Sequence, residues 1–430
     1  MLYVMNNPKS KIQNPKSSTH RLLRHSAIYG LGLILNRTID FLLLPLYTNR
    51  FTPAEYGAVA LTLTVLGFGH VVYALGFSPA FLRYFALHED ADRRRMFSGA
   101  TLTLVGVALI LSTILITSAE SIAPFVGLTD HVSLIRLAAG VLVCDTLTLL
   151  PYTILRAEGR AGRFVFCTFI NTVVHAGLTV YLILIERRGV EAIFMAMLIA
   201  SALNTGIVTM SVRRYVSVTD RPLAPAGLLR FGLPFVVAGL ATVAIDLIDR
   251  VILERLMGLA AVGVYSAGYK IAMGMGLLAK AFEYAWAPFV LETAKRDDAQ
   301  TVTTSAILAF AGVAGLLWLT FVLFGEQIVS VRLLGRPVIG VEYRAGARVI
   351  PPVMLAYILS GIAEGVMAGV YLRGRSGIVP VATLIAAGVN IAGNYLMIPM
   401  LGMMGAAYAT VLSYAVLAGM LWMLTRRAMA

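Results

Sequence analysis

The sequence predicts an all-α integral membrane protein of about twelve transmembrane helices, arranged as two pseudo-symmetric six-helix lobes around a central cavity. Three observations carry that expectation. Of 430 residues, 59% are hydrophobic and 13% charged, with a mean hydropathy of +0.82, which no ordinary water-soluble domain has. Apolar runs longer than the roughly 20 residues that cross a bilayer as a helix recur along the whole chain, and they lack the polar–apolar alternation of barrel strands. Polar residues of the first half also recur at matching positions in the second.

Twelve spans follow, at 26–49, 57–82, 98–118, 134–155, 164–185, 191–211, 231–254, 262–288, 303–324, 347–370, 378–398 and 403–424. Helices are required because backbone polar groups in lipid must be satisfied within the segment. Between spans six and seven lies a basic stretch with Pro222 and Pro225, the composition of a linker. The expected organisation is a basic tail at 1–25, a first lobe at 26–211, a linker at 212–230, a second lobe at 231–424 and a short tail at 425–430.

An even number of spans puts both ends on one side, and the Lys/Arg distribution says which. The tails and the loops on their side hold 22 of the 35 basic residues, the opposite loops hold 8, and five (Arg37, Arg136, Arg250, Lys270 and Lys280) fall within spans. Both termini are therefore expected to be cytoplasmic. The basic tail leads into no compact apolar core with a cleavage site, so no signal peptide is expected.

The formal charge of +13 does not indicate nucleic-acid binding, because the basic residues are scattered through short loops instead of forming a basic domain. The two cysteines, Cys144 and Cys167, lie in apolar runs and support neither a disulfide framework nor a thiolate metal site. There is no phosphate-binding Gly-Lys-Ser loop, no HExxH and no Cys-Xaa-Xaa-Cys pair, so neither a metal nor an organic cofactor is expected. Without a nucleotide-binding domain, transport work must come from an H+ or Na+ gradient, the membrane potential or the substrate's own gradient.

A shift of 209 residues places Ile39-Asp40 on Ile248-Asp249 and Tyr56 on Tyr265. A shift of 215 places Gly159–Gly162 on Gly374–Gly377. Six spans per half preserve orientation, so the repeats are parallel and leave a cleft between two lobes.

A charge at mid-bilayer costs at least about 2.5–3.5 kcal/mol, so each such residue faces water or a partner. Span one holds Arg37 and Asp40 at i,i+3; span seven holds Asp246, Asp249 and Arg250; span eight adds Lys270, Lys280 and Glu283. Arg37, Arg250, Lys270 and Lys280 are candidates for holding an anionic substrate, and Asp40, Asp246 and Asp249 for coupling to an ion. Intrahelical pairing is the competing explanation for most of these, and snorkelling toward the interface for Lys270. Asp145 and Glu364, and the amide and imidazole groups of His175, Asn390 and Asn394, are candidate polar groups of the cavity, or else interhelical hydrogen-bonding partners.

Leu46–Gly57 (LYTNRFTPAEYG), Arg83-Tyr84-Phe85, Ala157-Glu158-Gly159-Arg160, Asp249-Arg250 and Gly263–Lys270 (GVYSAGYK) resemble the polysaccharide flippases of the multidrug/oligosaccharidyl-lipid/polysaccharide exporter (MOP) superfamily. The resemblance covers nearly the whole chain, and Thr-Pro-Ala-Glu-Tyr-Gly is its most specific part. It implies two lobes around a V-shaped cavity containing cations. It also implies flipping of undecaprenyl-diphosphate-linked oligosaccharide across the bacterial inner membrane, with Arg37, Arg250 and Lys270 neutralising the diphosphate while the prenyl tail stays in lipid. Membrane lipids and other polysaccharide-assembly proteins are the implied partners. A multidrug cation exporter of the same superfamily, using Asp40, Asp246 and Asp249, is the alternative. A membrane-embedded glycan polymerase or ligase is disfavoured, because the longest outward segment, 325–346, holds no histidine.

Overall fold

A computed structural model of the chain describes residues 15–216, 222–293, 298–333, 336–372 and 378–426. The Gly374–Gly377 half of the second repeat match, residues 1–14 of the tail and 427–430 lie outside the described residues. Among the described residues the fold consists of helices and their connecting turns, apart from one ladder that pairs Arg332 with Pro337 and Leu333 with Arg336. The N-terminal lobe contains α1 (Pro15–Leu42), α2 (Leu44–Arg50), α3 (Pro53–Ala74), α4 (Phe77–Leu87), α5 (Asp90–Thr117), α6 (Ala119–Ile122), α7 (Val132–Ala157), α8 (Ala161–Leu184) and α9 (Glu191–Ser211). The C-terminal lobe contains α10 (Ala226–Met257), α11 (Leu259–Thr293), α12 (Ala299–Ser330), α13 (Ile350–Leu372), α14 (Ile378–Leu401) and α15 (Met403–Arg426).

Eleven segments among the described residues are long and apolar enough to cross a bilayer. The twelfth expected span corresponds to α11, which carries Lys270, Lys280 and Glu283 within its 35 residues. The protein is a multi-pass membrane protein. Large apolar side chains face outward, among them Leu316 at 70% and Leu396 at 71% exposure, an arrangement that lipid rather than water accommodates.

Two expected spans are broken. Span one splits at Leu43 into α1 and α2, with Pro45 in the first turn of α2, where its missing N–H costs nothing. Span two splits where Leu75 (φ 49°) and Gly76 (φ 66°) adopt left-handed backbone. Gly76 is needed there because a side chain would collide with the carbonyl of Gly232 on α10.

The Thr-Pro-Ala-Glu-Tyr-Gly motif opens α3, and Thr52, Pro53, Glu55, Tyr56 and Gly57 each have a structural task. Glu55 N–H donates to Thr52 Oγ1 at 3.3 Å and Thr52 N–H donates to Glu55 Oε2 at 2.8 Å, a reciprocal cap with Pro53 in the first turn. Tyr56 packs edge-on against Tyr343 with ring centres 5.9 Å apart. Gly57 lets the backbone of α3 touch α11, since a methyl group there would collide with the carbonyl of Leu259, and one at Gly263 with that of Pro53.

The two lobes therefore meet at this end, where Tyr343 Oη also donates to the Phe51 carbonyl at 2.8 Å and Asn49 Nδ2 to the Pro337 carbonyl at 2.9 Å. They meet again at the other end. There Gly76 backs onto Gly232, the Arg83 guanidinium lies 4.7 Å from the Phe231 ring centre, and Leu223 N–H donates to the Arg95 carbonyl at 3.1 Å. The space between these two closures is the central cavity.

Candidate functional site

The cavity has a volume of about 1260 Å³, above the range of about 300–1,000 Å³ typical of drug-sized sites. Its walls are unequal. Among the described residues the N-terminal lobe contributes only α1, through residues such as Arg37, Thr38 and Asp40, while α10, α11 and α13–α15 supply nearly all the rest. The 209-residue shift that aligns Asp40 with Asp249 also aligns Arg37 with Asp246, and both of the latter line the cavity. Arg37 of α1 and its counterpart Asp246 of α10 thus face one space.

Three cations line it, Arg37, Lys270 and Lys280, together with four carboxylates, Asp40, Asp246, Glu283 and Glu364. Most are engaged. Arg37 Nη1 lies 3.9 Å from Asp40 Oδ2, and Lys280 Nζ lies 2.5 Å from Glu283 Oε2; both pairs are spaced i,i+3, so they share a helix face. Tyr414 Oη donates to Asp246 Oδ1 at 2.6 Å. Lys270 differs: among the described residues no carboxylate lies within ion-pair distance of it, and its Nζ sits 5.5 Å from the centre of the Tyr47 ring. A tyrosine face attracts an ammonium without neutralising it. Lys270 is therefore the positive charge least committed to a protein partner.

Arg250 and Asp249 require correction. Neither lines the cavity. Asp249 is fully buried and Arg250 is 6% exposed. Arg250 Nη1 donates to Asp249 Oδ1 at 2.8 Å and to the Asp246 carbonyl at 2.6 Å, and Tyr265 Oη donates to Asp249 Oδ2 at 2.5 Å. The guanidinium lies 4.3 Å from the Tyr269 ring centre, and Tyr269 in turn contacts Tyr357, a cavity residue, at 6.1 Å between ring centres. Arg250 sits behind a wall of tyrosines. One carboxylate with two donors, next to a guanidinium resting on a ring, is the satisfied arrangement that makes burial of such a pair tolerable.

Of the five remaining polar candidates, Asp145, His175, Asn390 and Asn394 are placed away from the cavity lining. Asp145 Oδ2 lies 2.9 Å from His70 Nε2, within the N-terminal lobe. The sequence reading did not single out His70; its one signal is a polar ring midway along the apolar run of span two. His175 keeps its Nε2 buried without a hydrogen-bond partner among the described residues. Asn390 and Asn394 are fully buried and bonded to each other, Asn394 Nδ2 donating to the Asn390 carbonyl at 2.8 Å and to Asn390 Oδ1 at 2.9 Å. Of the later candidates Glu364 does face the cavity, and it is joined there by Glu283, Tyr357 and Tyr414. No group of three or more His, Cys, Asp or Glu capable of holding a metal occurs among the described residues.

A family model described as polysaccharide biosynthesis protein matches residues 50–332, about two thirds of the chain. The chain belongs to that family. A Haemophilus influenzae relative, Lsg locus protein 1, is 22% identical over 337 residues, covering 75% of this chain and 79% of its own. The fold is that of the MOP superfamily. The lipid II flippase MurJ in an inward closed conformation superposes with a TM-score of 0.79 at 14% identity, covering 94% of this chain and 87% of its own. An inward-facing multidrug resistance MATE transporter gives 0.72 at 18% identity, covering 94% and 98%. A MOP transporter from Pyrococcus furiosus gives 0.65 at 17% identity, covering 95% of each chain. The family member described here thus shares its fold with solved transporters and a flippase, and carries a cavity with charged side chains between α1 and the C-terminal lobe.

Proposed function

We propose that this family member moves a lipid-linked oligosaccharide, joined to its polyprenyl carrier through a diphosphate, across the cytoplasmic membrane by alternating access. The observation that carries this reading is Lys270, a cation in a large inter-lobe cavity without a carboxylate partner among the described residues. A diphosphate cannot enter hydrocarbon unaided, and an ammonium on the cavity wall offers it a charged hydrogen-bond donor. Arg37 and Lys280 are additional donors that must exchange an intrahelical carboxylate for the phosphate oxygens. Sugar hydroxyls find Asp246, Tyr357, Tyr414 and Glu364 on the same surface. Movement requires the Gly57–Gly263 closure and the Gly76–Gly232 closure to open in turn, and an H+ or Na+ gradient acting at Asp40 or Asp246 is the proposed drive.

The test is replacement of Arg37, Lys270 and Lys280 together by Gln. Loss of surface polysaccharide, with accumulation of the lipid-linked precursor on the inner leaflet and unchanged amounts of the protein, is the expected result; undiminished export would refute the role. The four carboxylates of the cavity favour a second reading, export of cationic drugs. Raised resistance to cationic dyes on overexpression, abolished by Asp246→Asn, would establish that reading in place of the first.

A further inference from the structure

A second cavity, of about 880 Å³, lies outside the central one, at the end of the N-terminal lobe that carries the 156–163 loop. It is bounded by the first turns of α8 and by the end of α9 with the 3₁₀ turn Arg213–Tyr215 that follows it. Four arginines line it, Arg160, Arg163, Arg213 and Arg214, against a single carboxylate, Glu158.

Glu158 is already fully used. Arg160 Nη1 donates to it at 3.1 Å and Tyr215 Oη at 2.8 Å, and Arg214 Nη2 donates as well. Arg160 also donates to the Ser211 carbonyl at 3.0 Å, which ties the start of α8 to the end of α9. That leaves Arg163 and Arg213, which have no acidic partner among the described residues. Like charges of this number in one depression repel unless an anion sits between them, and the positive end of α8, a 24-residue helix, adds to the field.

The apolar half of the cavity indicates which anion. Phe166 lies three residues after Arg163 on α8, so that helix changes from cationic to apolar within about 4.5 Å along its axis on one face, and Met210, in the last turn of α9, lines the same cavity beside Arg213 of the 3₁₀ turn. Phe166 is 58% and Met210 70% exposed. A soluble phosphate has no use for those two side chains, whereas the first methylenes of an acyl chain do. We infer that this cavity binds the phosphodiester headgroup of an anionic phospholipid of the surrounding leaflet, with Arg163 and Arg213 on the phosphate and Phe166 and Met210 along the acyl chains. Residues 213 and 214 begin the stretch that joins the lobes, so a lipid held there braces the N-terminal lobe where that connection leaves it. Basic pockets between transmembrane helices at a membrane surface recognise acidic headgroups in this way.

The test uses the full-length chain in detergent micelles titrated with phosphatidylglycerol or phosphatidylcholine, with retained lipid counted by native mass spectrometry. The unaltered chain is expected to retain phosphatidylglycerol in preference. The pair Arg163→Gln and Arg213→Gln, both exposed, should weaken that retention about 25-fold, from about fivefold per arginine. The charge-matched pair Arg344→Gln and Arg348→Gln, at the opposite end, should leave it unchanged. Phe166→Ser with Met210→Ser should weaken phospholipid retention while leaving the binding of inorganic phosphate, measured by calorimetry, as it was. Equal retention of both lipids, an equal loss in both arginine pairs, or inorganic phosphate competing as well as the lipid would each overturn the proposal.

Discussion

Asp249 and Arg250, neighbours in the sequence, form an ion pair at 2.8 Å inside the C-terminal lobe rather than in the central cavity. The pair is sealed by Tyr265 and Tyr269, so its charges act on the lobe's own integrity. Asp249→Asn leaves a buried guanidinium with half its compensation and is expected to cost about 3–5 kcal/mol, seen as a lowered thermal unfolding midpoint in detergent. Replacing both residues together by Leu and Met should recover most of that loss, and a double-mutant cycle measures the coupling.

Lys270 and Lys280 are expected to differ in their effect on export. Lys280 is held by Glu283, whereas Lys270 faces the Tyr47 ring and has no carboxylate within ion-pair distance among the described residues. Lys270→Gln should therefore reduce export more than Lys280→Gln. Adding Glu283→Gln to Lys270→Gln should restore part of the loss by releasing the second ammonium. Quantified cell-surface polysaccharide at matched protein levels is the readout.

Gly57 and Gly263 predict a shift in the conformational balance. Gly57→Ala or Gly263→Ala sets a methyl group against backbone carbonyl oxygen on the partner helix, where relief requires the helices to part; overpacking of this kind costs about 1–3 kcal/mol. Spin-label distances between positions 52 and 259 should lengthen. Gly177→Ala on α8, where nothing lies in the way, should instead stabilise by about 0.5–1 kcal/mol.

Glu158, in the turn after α7, predicts a pH dependence. Burial pulls its carboxyl upward, but hydrogen bonds from Tyr215, Arg214 and Arg160 outweigh that and hold it below the ordinary glutamate range. A depressed carboxyl stabilises the fold fully above its unfolded value of about 4.3, and that contribution disappears as pH falls through the lower folded value. Thermal unfolding from pH 7 down to 3 should show the loss, and Glu158→Gln should flatten that part of the profile while lowering stability at pH 7.

The sequence by itself determined the membrane-spanning helical class, the two-lobe repeat, and the α1 and α11 cations of the cavity. Runs of apolar residues and charges stranded within them are local properties that the cost of burying a polar group in lipid makes legible. The Thr52–Glu55 cap could be read in the same way, because a capping box is set by residues three apart. Only the tertiary structure decided which stranded charge faces water. Arg37 and Asp246 occupy equivalent positions and both reach the chamber, yet Arg250, one turn beyond Asp246, turns into the tyrosine seam. One turn of helix leaves the azimuth to be fixed by whatever packs alongside, here Tyr265 and Tyr269 of α11. The same limit hid His70 as the partner of Asp145, since the two lie 75 residues apart. It also hid the role of Gly57, whose value lies in how closely another helix approaches it.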